Sequence, residues 1–218
     1  MRSIDPIALS LALAMFSLVP LLVITMTSFL KISIVLSLVR NALGVQQAPP
    51  NLAIYALALL LTVYVMAPVG YEIGKVVSLD KGAVENMAIS NILDEVRKGA
   101  APVRKFLVAN SNREQRNFFL DRARQMWPAE LAADARTDDF LVVTPAFMVS
   151  ELTSAFQIGF LLYMPFIVID LIISNILMAM GMMMVSPVTI SLPLKLFLFV
   201  MVDGWSRLIH GLVQTYHL

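Results

Sequence analysis

The chain has 218 residues, 59% of them hydrophobic and 14% charged, with a formal net charge of +1 and a mean hydropathy of +0.80. Those values exclude a soluble globule of ordinary composition, and near-neutrality leaves no clustered basic face for nucleic acid. With no cysteine and only two histidines, His210 and His217, disulfides and thiolate metal sites are excluded and imidazole chemistry has little material.

Charge divides the chain. The 25 residues between Asp5 and Lys31 carry none, nor do the 31 between Arg40 and Glu72. From Glu72 to Asp139 there are 22 charges, eleven of each sign, whereas Phe140 to Val202 holds only Glu151, Asp170 and Lys195. A membrane-crossing helix needs about 20 mostly apolar residues. Four stretches meet that length, near 6–30, 52–71, 152–180 and 188–209, the last interrupted by Lys195 and Asp203. Three regions follow: an apolar helical hairpin over 1–71, a hydrophilic helical region over 72–140, and a second apolar hairpin over 141–218.

The first stretch is longer than the roughly 7–15 residues of a signal-peptide core and follows Asp5 as well as Arg2, so it reads as a retained helix. Arg40 to Gly44 supplies a basic residue and then a glycine stop. Ala48-Pro49-Pro50-Asn51 cannot continue a helix, because proline lacks an N–H and restricts the residue before it. Lys31 and Arg40 are the charges between the first two stretches, and the positive-inside rule puts that turn in the cytoplasm. In the hydrophilic middle, Asn112-Arg113-Glu114-Gln115 fits a capping box, with Pro128 just past the expected helix end. Phe118, Phe119, Arg122, Met126 and Trp127 predict a one-sided helix covering the apolar bundle.

Isolated motifs are weak. Ser28-Phe29-Leu30-Lys31 and Ser78-Leu79-Asp80-Lys81 both match the S-x-x-K of serine acyl-enzymes, but without the companion elements that would give them meaning. Gly70 and Gly74 make a G-x-x-x-G at the polar end of a helix. No zinc-protease, nucleophile-elbow or Walker pattern occurs.

The buried ionisable residues say more. A charge within an apolar helix faces the bundle interior and finds a partner. If the second hairpin turns near residue 184, Glu151 lies about 33 positions before the turn and Lys195 about 11 after it. That mismatch suits a bond between neighbouring subunits, or to another protein, better than one within the hairpin. Asp170, about 14 positions before the turn, is the plainer partner for Lys195 within one chain.

The stretch Met178 to Leu194 holds five of the chain's 14 methionines within Met178–Met184, around Gly181 and before Ser186-Pro187. Glycine after an apolar run ends a helix, and Ser-Pro begins one. Met182-Met183-Met184-Val185 is therefore an apolar turn, although turns are normally polar. Unbranched thioethers conform to changing shapes. A ring of such turns would make a hydrophobic constriction that closes to water and ions yet yields to a polypeptide. One chain supplies one turn, so this reading requires an oligomer.

Taken together, Thr27 to Lys31, Arg40 to Asn51 (RNALGVQQAPPN), Val149 to Leu152 with Ala155 to Phe160, Pro165 to Leu171, MAMGMMMVSP, ISLPLK and Val202 to Trp205 resemble the FliP/SctR family, with its YscR- and HrcR-like members. These are inner-membrane export-apparatus proteins of bacterial type III secretion, and RNALGVQQAPPN looks more like the injectisome branch than the flagellar one. The resemblance implies an all-α subunit of two long apolar hairpins with a helical hydrophilic insert, assembling into a cone-shaped export gate. It implies a pentamer joined by SctS-like and SctT-like proteins, with SctU-like and SctV-like components nearby and unfolded secretion substrates passing through. It also implies a complex raised toward the periplasmic side, with no cofactor and no enzymatic activity. Met182, Met183 and Met184 match the family's pore gasket, and Glu151 and Lys195 match an inter-subunit ion pair, with Asp170 a buried charge.

Two other classes compete. A secondary transporter would use Asp170 and Glu151 for proton coupling, but transporters usually show repeated halves with broken helices. An intramembrane hydrolase would use Ser28 and Lys31.

Overall fold

The computed structural model describes residues 17–45, 48–76 and 89–217. All regular structure among them is helical: α1 (Ser17–Met26), α2 (Phe29–Leu43), α3 (Asn51–Val76), α4 (Ile89–Ala109), α5 (Arg113–Met126), α6 (Ala129–Ala133), α7 (Phe140–Ala179), α8 (Pro187–Met201) and α9 (Gly204–Gln214). Residues 6–16 of the first apolar stretch and the Ser78–Lys81 motif lie outside the described residues.

Two of the four apolar stretches are unbroken helices long enough to cross a membrane, α3 and α7; the other two are bent pairs. The first breaks between α1 and α2 at Thr27–Ser28 with a 73° turn, the last between α8 and α9 with a 62° turn. The second break has a visible cause. Asp203 sits in the left-handed region at φ 52, and a Cβ on Gly204 would lie 2.4 Å from the Phe199 ring. Only glycine lets the chain fold back over that ring, against which Trp205 then packs edge-on.

The centre of the molecule is α2, which packs against α3, α7 and α8. Ile32, Val35, Leu36 and Val39 recur at helical spacing and are all buried. The α2–α3 turn is tied by Arg40, whose Nη1 donates to the Pro49 carbonyl and to Asn51 Oδ1. Alongside α2, and in the same direction, runs α7: Lys31 meets Glu151, and seven residues on Leu38 meets Gly159. Small residues bring apolar helices into close contact.

At 40 residues and 1.5 Å per residue, α7 is about 60 Å long, twice the ~30 Å thickness of a hydrocarbon core. Its first turns bury Val142, Val143, Ala146 and Phe147 beneath α4 and α5. Farther along, Phe160, Leu161, Leu171 and Ile176 are exposed.

Among its described residues the hydrophilic region is mainly helical, but two of its details differ from expectation. Asn112 accepts a bond from Glu114 N–H, while its own N–H donates to Ser150 Oγ on α7 rather than to Gln115. Half of the capping box is thus replaced by a tertiary bond. The packed face of α5 is Leu120 and Ala123 with Phe119 and Trp127, not the full set of aromatic positions. Phe118 and Met126 are exposed, and Arg122 lies over the Phe118 ring. The four-residue row 118, 122, 126 points away from α7 because the row 119, 123, 127 points toward it.

The α2–α7 approach yields a test. A Cβ at Gly159 would come within 2.3 Å of Leu38 Cδ1 and 3.4 Å of its Cβ and Cγ. Gly159→Val should destabilise by about 1–3 kcal/mol through overpacking, and Leu38→Ala in the same chain should recover part of it. Thermal unfolding in detergent measures both, and an unshifted Gly159→Val melt would rule out the close contact.

Candidate functional site

Two buried or half-buried charge centres and one apolar turn stand out among the described residues. Lys31 and Glu151 form an ion pair at 2.9 Å, with side chains only 4% and 2% exposed. Lys31 lies in the first turn of α2, where the helix dipole opposes a positive charge, so a carboxylate at that place offsets both the dipole and the loss of water. Tyr216 completes the group. Its hydroxyl donates to Glu151 Oε2 at 2.7 Å and lies 3.1 Å from the Ser28 carbonyl. Lys31 Nζ sits 3.9 Å from the centre of its ring.

The segment after α9 is held there by backbone bonds. Asn110 Nδ2 donates to the His217 carbonyl at 2.8 Å, and His217 N–H donates to Asn110 Oδ1 at 2.9 Å. Phe106 stacks on the Tyr216 ring. Burial, and then the facing Glu151 carboxylate, push the Tyr216 phenol far above its ordinary value, so it remains a donor. A polar cleft of about 310 Å³ flanks the group, lined by Lys31, Glu151, Asn112, Gln115, Ser154 and Gln157.

At the other end of α2 lies the second centre. Lys195 Nζ bonds Asp170 Oδ2 at 2.6 Å and the Ala42 carbonyl at 3.3 Å. Ala42 is in the last turn of α2, where carbonyls lack helical partners and the dipole favours a cation. Ser191, one turn before Lys195 on α8, donates to Asp170 Oδ1. Asp170 is 32% exposed, half-buried rather than buried as expected.

Within one chain, therefore, Glu151 does not meet Lys195. Each is satisfied by another residue: Glu151 by Lys31 and Tyr216, Lys195 by Asp170, the plainer partner that depth suggested. In the sequence Lys31 marks only the end of an apolar stretch, and nothing singles out Tyr216. A lone tyrosine 65 positions from its carboxylate leaves no periodic signal. The hydrolase motif fails on geometry: Ser28 Oγ is fully buried without a hydrogen-bond partner, and Lys31 is committed to Glu151.

The apolar turn is closed by its own backbone. Met182 N–H donates to the Leu177 carbonyl and Gly181 N–H to that of Met178, with Gly181 at φ 73; this is the glycine-terminated helix end in which two crossed bonds satisfy the last carbonyls. Val185 N–H then donates to the Met182 carbonyl, and α8 begins at Pro187. Ser186 occupies the cap position without a side-chain bond. Met182 is 41% exposed, Met183 85% and Met184 101%. No group of three or more histidine, aspartate or glutamate residues suited to a metal occurs among the described residues.

The FliP family profile matches residues 12–212. The chain is 52% identical over 213 residues to the Yop proteins translocation protein R of Yersinia pestis, covering 97% of each. It is 47% identical over 212 residues to the harpin secretion protein HrcR of Erwinia amylovora, and 44% identical over 212 residues to the virulence protein YscR of Salmonella typhimurium, again with 97% of each chain covered.

Removing one partner of a buried pair leaves an uncompensated charge. Glu151→Ala should cost about 3–5 kcal/mol and Tyr216→Phe about 1.5–3 kcal/mol, a hydrogen bond to a charged group. Lys31→Met with Glu151→Leu should recover most of the Glu151→Ala loss. Unfolding of the four chains in detergent checks this, and a double variant no more stable than Glu151→Ala would refute the pairing.

Proposed function

The chain belongs to the FliP family of bacterial type III secretion export-apparatus proteins, and on that premise we propose that its Met182–Met184 turn seals a protein-conducting channel. Membership makes it a structural subunit of the secretion machinery at the inner membrane, and not an enzyme. Relatives named for Yop translocation, harpin secretion and virulence support the injectisome branch.

The observation that carries the proposal is the turn itself. Met183 and Met184 stand open on a turn that main-chain bonds from Gly181, Met182 and Val185 close. Nothing local holds those side chains, so they are free to pack on whatever meets them. Burying a methionine is worth about 1.5–3 kcal/mol, so copies arranged about an axis gain by closing on one another. The same freedom lets them repack around an unfolded substrate in transit. A closed apolar constriction excludes ions by refusing them water.

In this reading five copies form the ring, joined by SctS-like and SctT-like subunits, with SctU-like and SctV-like components nearby. The cone is raised toward the periplasmic side, and much of the exposed apolar surface of α3, α7 and α8 meets protein. Driving energy comes from elsewhere in the machine, since the sequence carries no nucleotide-binding motif.

Replacing Met182, Met183 and Met184 together with Ala should raise ion leakage across membranes carrying the assembled complex. Unchanged leakage together with unchanged secretion would remove the seal. The bond between Glu151 of one copy and Lys195 of the next belongs to the same proposal, and it competes with the bonds each makes within its own chain. Glu151→Lys should abolish assembly and Lys195→Glu should restore it in part, as read by native gel migration of the complex. Rescue by Lys31→Glu alone would confine Glu151 to its own subunit.

A further inference from the structure

Before it meets another copy each chain stands alone, and in that state Glu151 has no free carboxylate oxygen. Oε1 accepts from Lys31 Nζ at 2.9 Å and Oε2 from the Tyr216 hydroxyl at 2.7 Å. The two bonds differ in kind: Lys31 neutralises the carboxylate, whereas the phenol only occupies it. We propose that Tyr216 is an autoinhibitory cap on Glu151, which holds Oε2 in the free subunit and yields it to Lys195 of a second copy on assembly. This rests on the reading of Glu151 and Lys195 as a bond between copies.

The displaced hydroxyl has somewhere to go. A phenol has one proton to donate, and two acceptors lie within its reach, Glu151 Oε2 at 2.7 Å and the Ser28 carbonyl at 3.1 Å. That carbonyl also accepts a long bond from Ile32 N–H at 3.4 Å, and its second lone pair serves the phenol. The other contacts that hold the C-terminal segment do not use the hydroxyl. The Tyr216 ring stacks on Phe106 and lies beneath Lys31 Nζ, and His217 exchanges two bonds with Asn110. Turning the O–H bond about the phenol C–O axis therefore changes its acceptor while the segment keeps its place.

A cation has a route in. The cleft of about 310 Å³ is lined by Glu151, by Ser154 and Gln157 on the same helix, and by Thr215 and His217 on either side of Tyr216 in the chain. Hydroxyl and amide side chains there receive an ammonium that an apolar wall would strip of its water. Of the two buried lysines, Lys195 is the one able to leave its own chain. Its carboxylate, Asp170, is 32% exposed and keeps the Ser191 hydroxyl when the ammonium departs. Parting Lys31 from Glu151 would instead strand a buried charge. With Lys31 on Oε1 and a second ammonium on Oε2, the carboxylate makes two bonds in which both partners are ionised, the stronger class. The cap thus sets a threshold: it satisfies Oε2 in a lone subunit, and a charged donor held in place displaces it.

The test compares wild-type and Tyr216→Phe complexes of the full chain, extracted in detergent and diluted in series, with the assembled fraction read on native gels. Phenylalanine keeps a ring on Phe106 and removes only the hydroxyl. On assembly the wild-type phenol exchanges a carboxylate acceptor for a carbonyl, the weaker of the two, and the variant has nothing to exchange. Tyr216→Phe complexes should therefore come apart at a several-fold lower concentration than wild type, although the free chain melts lower. A role in packing alone predicts the opposite, with assembly falling alongside stability, and an unmoved or raised midpoint would overturn the cap. A second measurement keeps the hydroxyl: fluorotyrosine in place of Tyr216 should give a fluorine resonance that moves between the free and assembled forms. One resonance common to both would overturn the exchange whatever the phenylalanine chain does. Failure of Lys195→Glu to restore assembly to Glu151→Lys would remove the bond between copies and this inference together. Restoration there, with an unmoved Tyr216→Phe midpoint, would overturn the cap and leave the bond standing.

Discussion

A lysine ammonium placed among apolar helices must be neutralised by something its four methylenes can reach, and that requirement locates α2. Its two ends meet the two buried ammonium groups under opposite conditions. Lys31 sits at the end where the helix dipole repels it, and there the chain assembles a buried carboxylate and a phenol whose ring lies beneath the charge. Lys195 approaches the end where the dipole attracts it, and a half-exposed aspartate and a serine are enough. With Glu151 on α7, Lys195 on α8 and Tyr216 after α9, both centres clamp α2 against elements distant in sequence. Apolar contacts alone slide, whereas a bonded pair at each end fixes the register.

The surface reads differently from the core. Much of α3, α7 and α8 presents large apolar side chains outward, the kind of contiguous apolar surface that marks contact with protein or membrane. The first turns of α7, by contrast, lie beneath the amphipathic α5 and beside α4. A 40-residue helix of about 60 Å cannot lie wholly in a hydrocarbon core. Its composition is uniform while its surroundings are not. Hydropathy reports the first and is blind to the second.

Fold class, the apolar stretches and the turn at Gly181 were legible in the sequence because each depends on local preferences: charge spacing, a glycine that reaches positive φ, a proline at a helix start. The bends at Thr27–Ser28 and Asp203 were not, since an unbroken apolar run conceals a break in direction. The pairing of Lys195 with Asp170 could be read from depth along a hairpin. The pairing of Lys31 with Glu151 could not, because it joins two hairpins through the parallel approach of α2 and α7. On α5 the aromatic residues were visible and their facing was not. Phe118 and Phe119 are neighbours in sequence, and the position of α7 decides between them.

Because the bonds that close the turn between Leu177 and Val185 join main-chain groups to one another, shape and chemistry are separable there. Positions 183 and 184 are accordingly natural anchorage for a reporter. An environment-sensitive dye or a photo-crosslinkable residue installed at either would sense what meets the turn, while the hinge carrying it kept its form.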